Sequence, residues 1–78
     1  MESEKKMFLA MMKIGDEARI AAIEGNDETR KRLETLGFVP GTLLKVLQIA
    51  AGNMILAVHE SRIAVDDATA GDIEVDAV

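Results

Sequence analysis

Short blocks of apolar and β-branched residues run through most of the chain and predict five β-strands. The blocks lie at residues 18–24, 42–49, 53–59, 62–65 and 72–75. The second and third blocks are apolar on both faces, with Lys45 and Gln48 interrupting the second. One face of each must fill the interior, and the other must be covered or remain available to a partner. Gly52-Asn53 is typical of a hairpin turn between them, and residues 66–71 predict a tight turn or a single helical turn.

Residues 27–36 carry the one helical pattern. Asn26 or Asp27 can cap its first turn, Gly37 is suited to end it, and Pro40 prevents it from resuming. Its apolar stripe consists only of Leu33 and Leu36. A stripe this narrow predicts a short helix that lies over the end of a sheet.

Five closely spaced strands with one helix after the first predict a mainly β fold, a small, partly open barrel. We expect residues 1–6 to form a flexible leader and residues 7–78 to form a single domain. The apolar run at 7–12 should pack against that domain. Gly15 is expected to form a turn before the first strand.

Composition narrows the expected function to binding. The chain has 78 residues and a net charge of −5, and its aromatic residues are two Phe. This charge repels a phosphate backbone, and two Phe are too few for base stacking, so we expect no nucleic-acid binding. The absence of cysteine excludes disulfides, zinc–thiolate sites and thiol nucleophiles. No hydroxyl has a general base placed by sequence and no phosphate-binding loop occurs, so we expect no enzymatic activity.

The apolar runs are too short for a membrane span and lack the pattern of a secretory signal. We therefore expect a soluble, cytoplasmic protein. Its single imidazole, His59, is the one candidate ligand for Fe(II) or Zn(II), with Glu60, Asp66, Asp67 and Asp72 as possible carboxylate partners. No histidine–carboxylate spacing supports a metal site, so the expected cofactor is none.

Several short motifs resemble the FeoA family, small SH3-like barrel proteins that accompany the FeoB ferrous iron transporter. They are Gly15-Asp16, residues 18–20, Arg32-Leu33 and, most specifically, the LGFVPG stretch at 36–41. In that stretch Gly37 reverses the chain, and Pro40-Gly41 turns it into the next strand. The resemblance spans roughly residues 8–75. It implies an SH3-like barrel that acts as a non-enzymatic accessory protein of bacterial or archaeal Fe(II) uptake.

The implied partner is the cytoplasmic GTP-binding part of FeoB, or other cytoplasmic parts of that transporter, so contact with the membrane would occur through that partner only. We predict that Leu36, Phe38 and Val39, with Met11 and Met12 alongside, form the contact surface. The competing interpretation places Leu36 and Phe38 in the core. The sequence also leaves self-association open through an exposed strand edge or the Met-rich surface.

Two other functions stay open. One is a metal-sensing or iron-delivering domain that uses Fe(II) or Zn(II). The other is a free-standing SH3-like regulatory module, because the same barrel resembles the C-terminal domain of some iron-dependent repressors.

Overall fold

Six antiparallel strands and two helices make up the computed structural model, which describes residues 7–78. The strands are β1 (Met7–Phe8), β2 (Glu17–Ile23), β3 (Leu43–Ala50), β4 (Asn53–Val58), β5 (Ser61–Asp66) and β6 (Ile73–Ala77). The helices are α1 (Asp27–Thr35) and α2 (Asp67–Ala70), and a 3₁₀ turn (Leu9–Met11) follows β1. The predicted leader, residues 1–6, lies outside the described residues. Neither described helix is long and apolar enough to cross a membrane.

The sheet has the strand order β1-β6-β2-β3-β4-β5, with β1 and β5 at its two ends. Helix α2, which follows β5, contacts the 3₁₀ turn that follows β1, so these two short segments meet between the ends of the sheet. The predicted mainly β, partly open barrel is confirmed. The structure adds β1 to the five predicted strands, and this strand pairs with β6 through Met7 and Phe8.

Alternating inward side chains from the strands, joined by residues from the helices and loops, form one core within residues 7–78. Its largest fully buried members include Leu9, Ile20, Phe38, Leu44, Met54, Leu56 and Ile73. The register shifts within β2 between Ile20 and Ala22, and within β3 between Val46 and Gln48. Such bulges bend a strand and increase its twist, which lets a short sheet curve around one core.

Helix α1 begins at the predicted cap. The Asn26 side chain accepts a hydrogen bond of 2.8 Å from the backbone N–H of Thr29. Arg30 and Asp27 form an ion pair of 2.7 Å on the exposed side. Leu33 is the helix's one buried residue, so a single apolar side chain anchors the helix to the barrel. The predicted two-residue stripe is therefore right at Leu33 and wrong at Leu36, which is 45% exposed.

The β3–β4 hairpin turns one residue earlier than predicted. Ala50 is paired with Asn53, and the two residues between them, Ala51 and Gly52, both have positive φ, at 51° and 80°. This is the type I′ geometry that matches the twist of a hairpin. The predicted Gly52-Asn53 turn is therefore wrong by one position, because Asn53 is already the first residue of β4.

Candidate functional site

The loop between α1 and β3 reverses sharply and closes one end of the barrel. Gly37 has φ of 97°, a conformation that favours glycine, and it lets the backbone N–H of Phe38 bond back to Leu33 O at 2.9 Å. Farther on, Pro40 and Gly41 form a turn, and Gly41 N–H donates to Ile20 O at 2.7 Å. The loop is thereby attached at both α1 and β2.

This folding of the loop directs Phe38 inward and leaves its apolar neighbours outside. Leu36 is 45% exposed and Val39 is 41% exposed. Leu43, the first residue of β3, is 43% exposed. We call these three residues the loop-end surface. Large apolar side chains that a filled core leaves exposed together are typical of a contact surface.

A groove of about 560 Å³ runs beside this surface, on the outer face of β2, β3 and β4. The register places Arg19 opposite Leu43, and Lys45 between Glu17 and Ala57. These side chains and His59 line the groove. We call it the cationic groove, because Arg19 and Lys45 are opposed in its lining by the single carboxylate of Glu17. The sequence prediction did not include Arg19 or Lys45.

Comparison with known proteins assigns the family. The family model for the FeoA domain matches residues 7–77. The chain belongs to the FeoA domain family. It is a protein related to ferrous iron transport, with an SH3-like fold.

Solved structures agree with this assignment. The crystal structure of an iron uptake regulatory protein (FeoA) is 28% identical, with a TM-score of 0.85 over 96% of this chain and 100% of that chain. FeoA from Chlorobium tepidum is also 28% identical, with a TM-score of 0.87 over 92% of this chain and 70% of that chain. IdeR from T. acidophilum shares the fold at 20% identity and a TM-score of 0.86, over 100% of this chain and 37% of that chain. No curated protein sequence matches this chain significantly.

Two predicted contact residues of this FeoA domain are buried. Phe38 is fully buried, and Met12 is 4% exposed. Neither side chain can contact a partner while the barrel is folded, so their predicted place on the contact surface is wrong. Phe38 is buried because the chain reverses at Gly37, which directs Phe38 inward and leaves the next residue, Val39, exposed. The alternative that Leu36 is core is also wrong, because Leu36, the residue that follows α1, is 45% exposed.

Met11 is exposed but lies away from Leu36 and Val39. It belongs to the 3₁₀ turn that contacts α2, next to the last residue of β5. Gly37 instead faces the ring of His59, since a Cβ at Gly37 would lie 3.6 Å from His59 Cδ2. His59 directly follows β4 and lies two residues before the first residue of β5. The six residues of β5 span about 17 Å. The structure therefore does not bring Met11 together with the loop-end surface.

Three of the carboxylates predicted as possible metal-ligand partners of His59 lie elsewhere in the structure. Asp66 caps α2 by accepting a 2.8 Å hydrogen bond from Thr69 N–H. Hydrogen bonds from the Thr69 side chain and backbone lower the pKa of Asp66, and the positive charge of Arg32 acts in the same direction. Asp67 lies near Gly52 and Asp72 near Gly25, both distant along the strands from His59. Within residues 7–78, no three His, Cys, Asp or Glu side chains are grouped so that they could hold a metal ion.

Proposed function

We propose that this FeoA-family protein is a non-enzymatic accessory protein of ferrous iron uptake. It binds the cytoplasmic GTP-binding part of a FeoB-type transporter through the loop-end surface. Its contact with the membrane is made through that transporter only. Membership of the FeoA family and the relation of that family to ferrous iron transport support this proposal.

The observation that carries the proposal is the grouping of Leu36, Val39 and Leu43 on one loop and the strand it enters. The core is filled by other side chains, so packing within the barrel does not require these three residues to be apolar. Exposed apolar residues on a rigid support lose little conformational entropy when a partner covers them. They are suited to be the anchors of a small interface.

Binding can regulate the transporter only through a difference in affinity between the transporter's states. If the barrel binds the GTP-bound and GDP-bound forms equally well, it cannot shift the nucleotide cycle. We therefore expect the dissociation constant to depend on the nucleotide bound by the transporter.

The test measures binding of the whole chain to the purified GTP-binding part of a FeoB-type transporter, by isothermal titration calorimetry. The double variant Leu36→Ser/Val39→Ser is expected to weaken binding by about tenfold or more, because it removes both apolar anchors. Ile49→Ser is the matched control. Ile49 is 42% exposed and lies at the other end of β3 from Leu43, beside the β3–β4 hairpin. Equal binding by the double variant and the unaltered chain, with both folded by circular dichroism, would refute the contact role.

The two other functions have less support. The metal role depends on His59, which has no ligand cluster around it in residues 7–78. A titration with Zn(II) or Fe(II) that leaves the His59 ring resonances unshifted would remove it. The regulatory module shares only its fold with IdeR from T. acidophilum, at 20% identity.

A further inference from the structure

The charge of the cationic groove is opposite to that of the molecule. The chain carries a net charge of −5. Yet the groove is lined by Arg19 and Lys45 against the one carboxylate of Glu17. A concave site with an excess of one charge sign raises the local concentration of oppositely charged ligands, and two cations against one carboxylate leave this lining with an excess of one positive charge. The groove is therefore electrostatically suited to an anionic ligand.

The two cations are not used for ion pairing within the described part of the chain. Between residues 7 and 78, the structure has a single ion pair, Arg30 with Asp27. Glu17 is opposite Lys45 in the β2–β3 ladder, and Asp76 is opposite Arg19 in the β2–β6 ladder, but neither pair is within ion-pair distance. Both cations are thus available to a ligand, although Glu17 in the lining and Asp76 beside Arg19 each offset part of their charge.

The strand register fixes the backbone positions of both cations, and a hydrogen bond also holds the Arg19 side chain. Arg19 Nη1 donates a hydrogen bond of 3.2 Å to Gly41 O, which ties this guanidinium to the α1–β3 loop. One of its five N–H donors is used in this bond. Lys45 follows Leu43 by two residues on the same side of β3, and Leu43 is directly opposite Arg19. An exposed apolar side chain therefore lies beside both cations.

The spacing of the cations indicates the shape of the ligand. Residues on diagonal positions of neighbouring antiparallel strands, as Arg19 and Lys45 are, have Cα atoms about 7–8 Å apart. In an extended peptide, side chains at i and i+2 point to the same side and are separated by about 7 Å. Two carboxylates at i and i+2 can therefore reach the two cations together, while a nearby apolar side chain packs on Leu43.

We propose that the cationic groove binds an extended acidic segment of the transporter, with carboxylates two residues apart and an apolar residue close by. This rests on the proposed function and adds to it the chemistry by which the partner is recognised. Leu43 belongs to both the loop-end surface and the groove, so the segment continues the same interface. The competing occupant is a second copy of this acidic chain.

The decisive variant is Lys45→Gln, because Lys45 makes no structural ion pair in the described residues. Its matched control is Lys31→Gln, which removes the same charge from the exposed side of α1. Lys45→Gln is expected to weaken binding of the transporter's GTP-binding part by about tenfold at low salt, and Lys31→Gln by less than about twofold. The difference should shrink at high salt, because salt screens exposed charges. Lys45→Arg keeps the positive charge and should bind about as tightly as the unaltered chain.

A second probe separates this inference from the proposed function. It is a fluorescein-labelled peptide, Gly-Asp-Gly-Asp-Gly-Leu-Gly, compared by fluorescence anisotropy with the same peptide carrying Asn for Asp. Peptide binding that depends on Asp and on Lys45 supports the groove chemistry, even if the transporter does not bind.

Three outcomes would overturn the inference. In the first, the transporter's GTP-binding part binds equally to Lys45→Gln and to the unaltered chain, which leaves the proposed function intact. In the second, neither the transporter part nor the peptide binds, which removes both. In the third, sedimentation shows a dimer that Lys45→Gln dissociates, which identifies a second copy as the occupant.

Discussion

Among residues 7–78, two residues other than glycine have positive φ, and both lie in hairpin turns. Ala51 has φ of 51° in the β3–β4 turn, and His59 has φ of 56° in the β4–β5 turn. For an ordinary L-residue this conformation costs about 1–2 kcal/mol. At His59 the ring lies beside Gly37 and lines the cationic groove, so its position is tied to the candidate site. Ala51 has no such role, and the strain there can be relieved without disturbing the site.

We therefore predict that Ala51→Asn stabilises the protein. Asn tolerates the left-handed conformation, and Asn-Gly is the preferred pair for a type I′ turn. The expected gain in the free energy of unfolding is about 0.5–1 kcal/mol. It would appear in urea denaturation as a higher midpoint at unchanged slope. Ala50→Asn is the control, because Ala50 is the last residue of β3 and should gain nothing. A lower midpoint for Ala51→Asn would mean that the turn is not type I′.

Single residues in turns and loops were the hardest to place from the sequence. Gly52-Asn53 and Ala51-Gly52 differ by one position, and only the pairing of Ala50 with Asn53 decides between them. Leu36 and Phe38 both lie close to Gly37, and helical periodicity wrongly predicts that Leu36 points inward, because the helix ends at Thr35. Helix and strand periodicity ends where the loop begins, so burial in the loop depends on its backbone path.

Among the elements, α1 has the weakest attachment to the barrel. Leu33 is its one buried residue, and its first turn depends on the Asn26 cap. Segments with few buried apolar contacts open at a lower free-energy cost than core strands. We therefore predict faster amide hydrogen exchange in α1 than in β4, whose inward residues Met54, Leu56 and Val58 are all buried.

The cap gives this prediction a specific test. Asn26→Ala should lower the opening free energy of α1 by about 1 kcal/mol, which is about a fivefold faster exchange in its amides. Exchange in β4 should change much less. Asn53→Ala is the control, since Asn53 is exposed at the start of β4 and its side chain caps no helix. If α1 and β4 exchange at one common rate, the helix opens only with the whole molecule.

Most elements could be predicted from the sequence because each has a local signal. The apolar blocks match β2 to β6 within about two residues, and the cap and Gly37 fix both ends of α1. Strand β1 has only two residues, too few for any alternation, and its pairing with β6 is a long-range contact. The cationic groove was missed for the same reason. Arg19, Leu43 and Lys45 become neighbours only through the β2–β3 register.

For the whole molecule, the filled core separates residues that hold the fold from residues available to a partner. Leu36, Val39 and Leu43 lie outside the core, whereas Phe38 lies inside it. The loop-end surface and the cationic groove meet at Leu43, so one side of the barrel offers both apolar contact and positive charge. The proposed interface needs no movement of the core.

This division leads to the last prediction, on Phe38 and Leu36. Phe38 is fully buried in the core that residues 7–78 form, and the whole chain has only 78 residues. Replacing a buried Phe by Ala costs about 3–5 kcal/mol, and native proteins have only about 5–15 kcal/mol in total, with small domains near the low end. Phe38→Ala should therefore unfold the barrel or lower its melting temperature strongly by circular dichroism. Leu36→Ala should leave the melting temperature nearly unchanged and weaken only transporter binding. A stable Phe38→Ala variant with lost binding would instead place Phe38 on the contact surface.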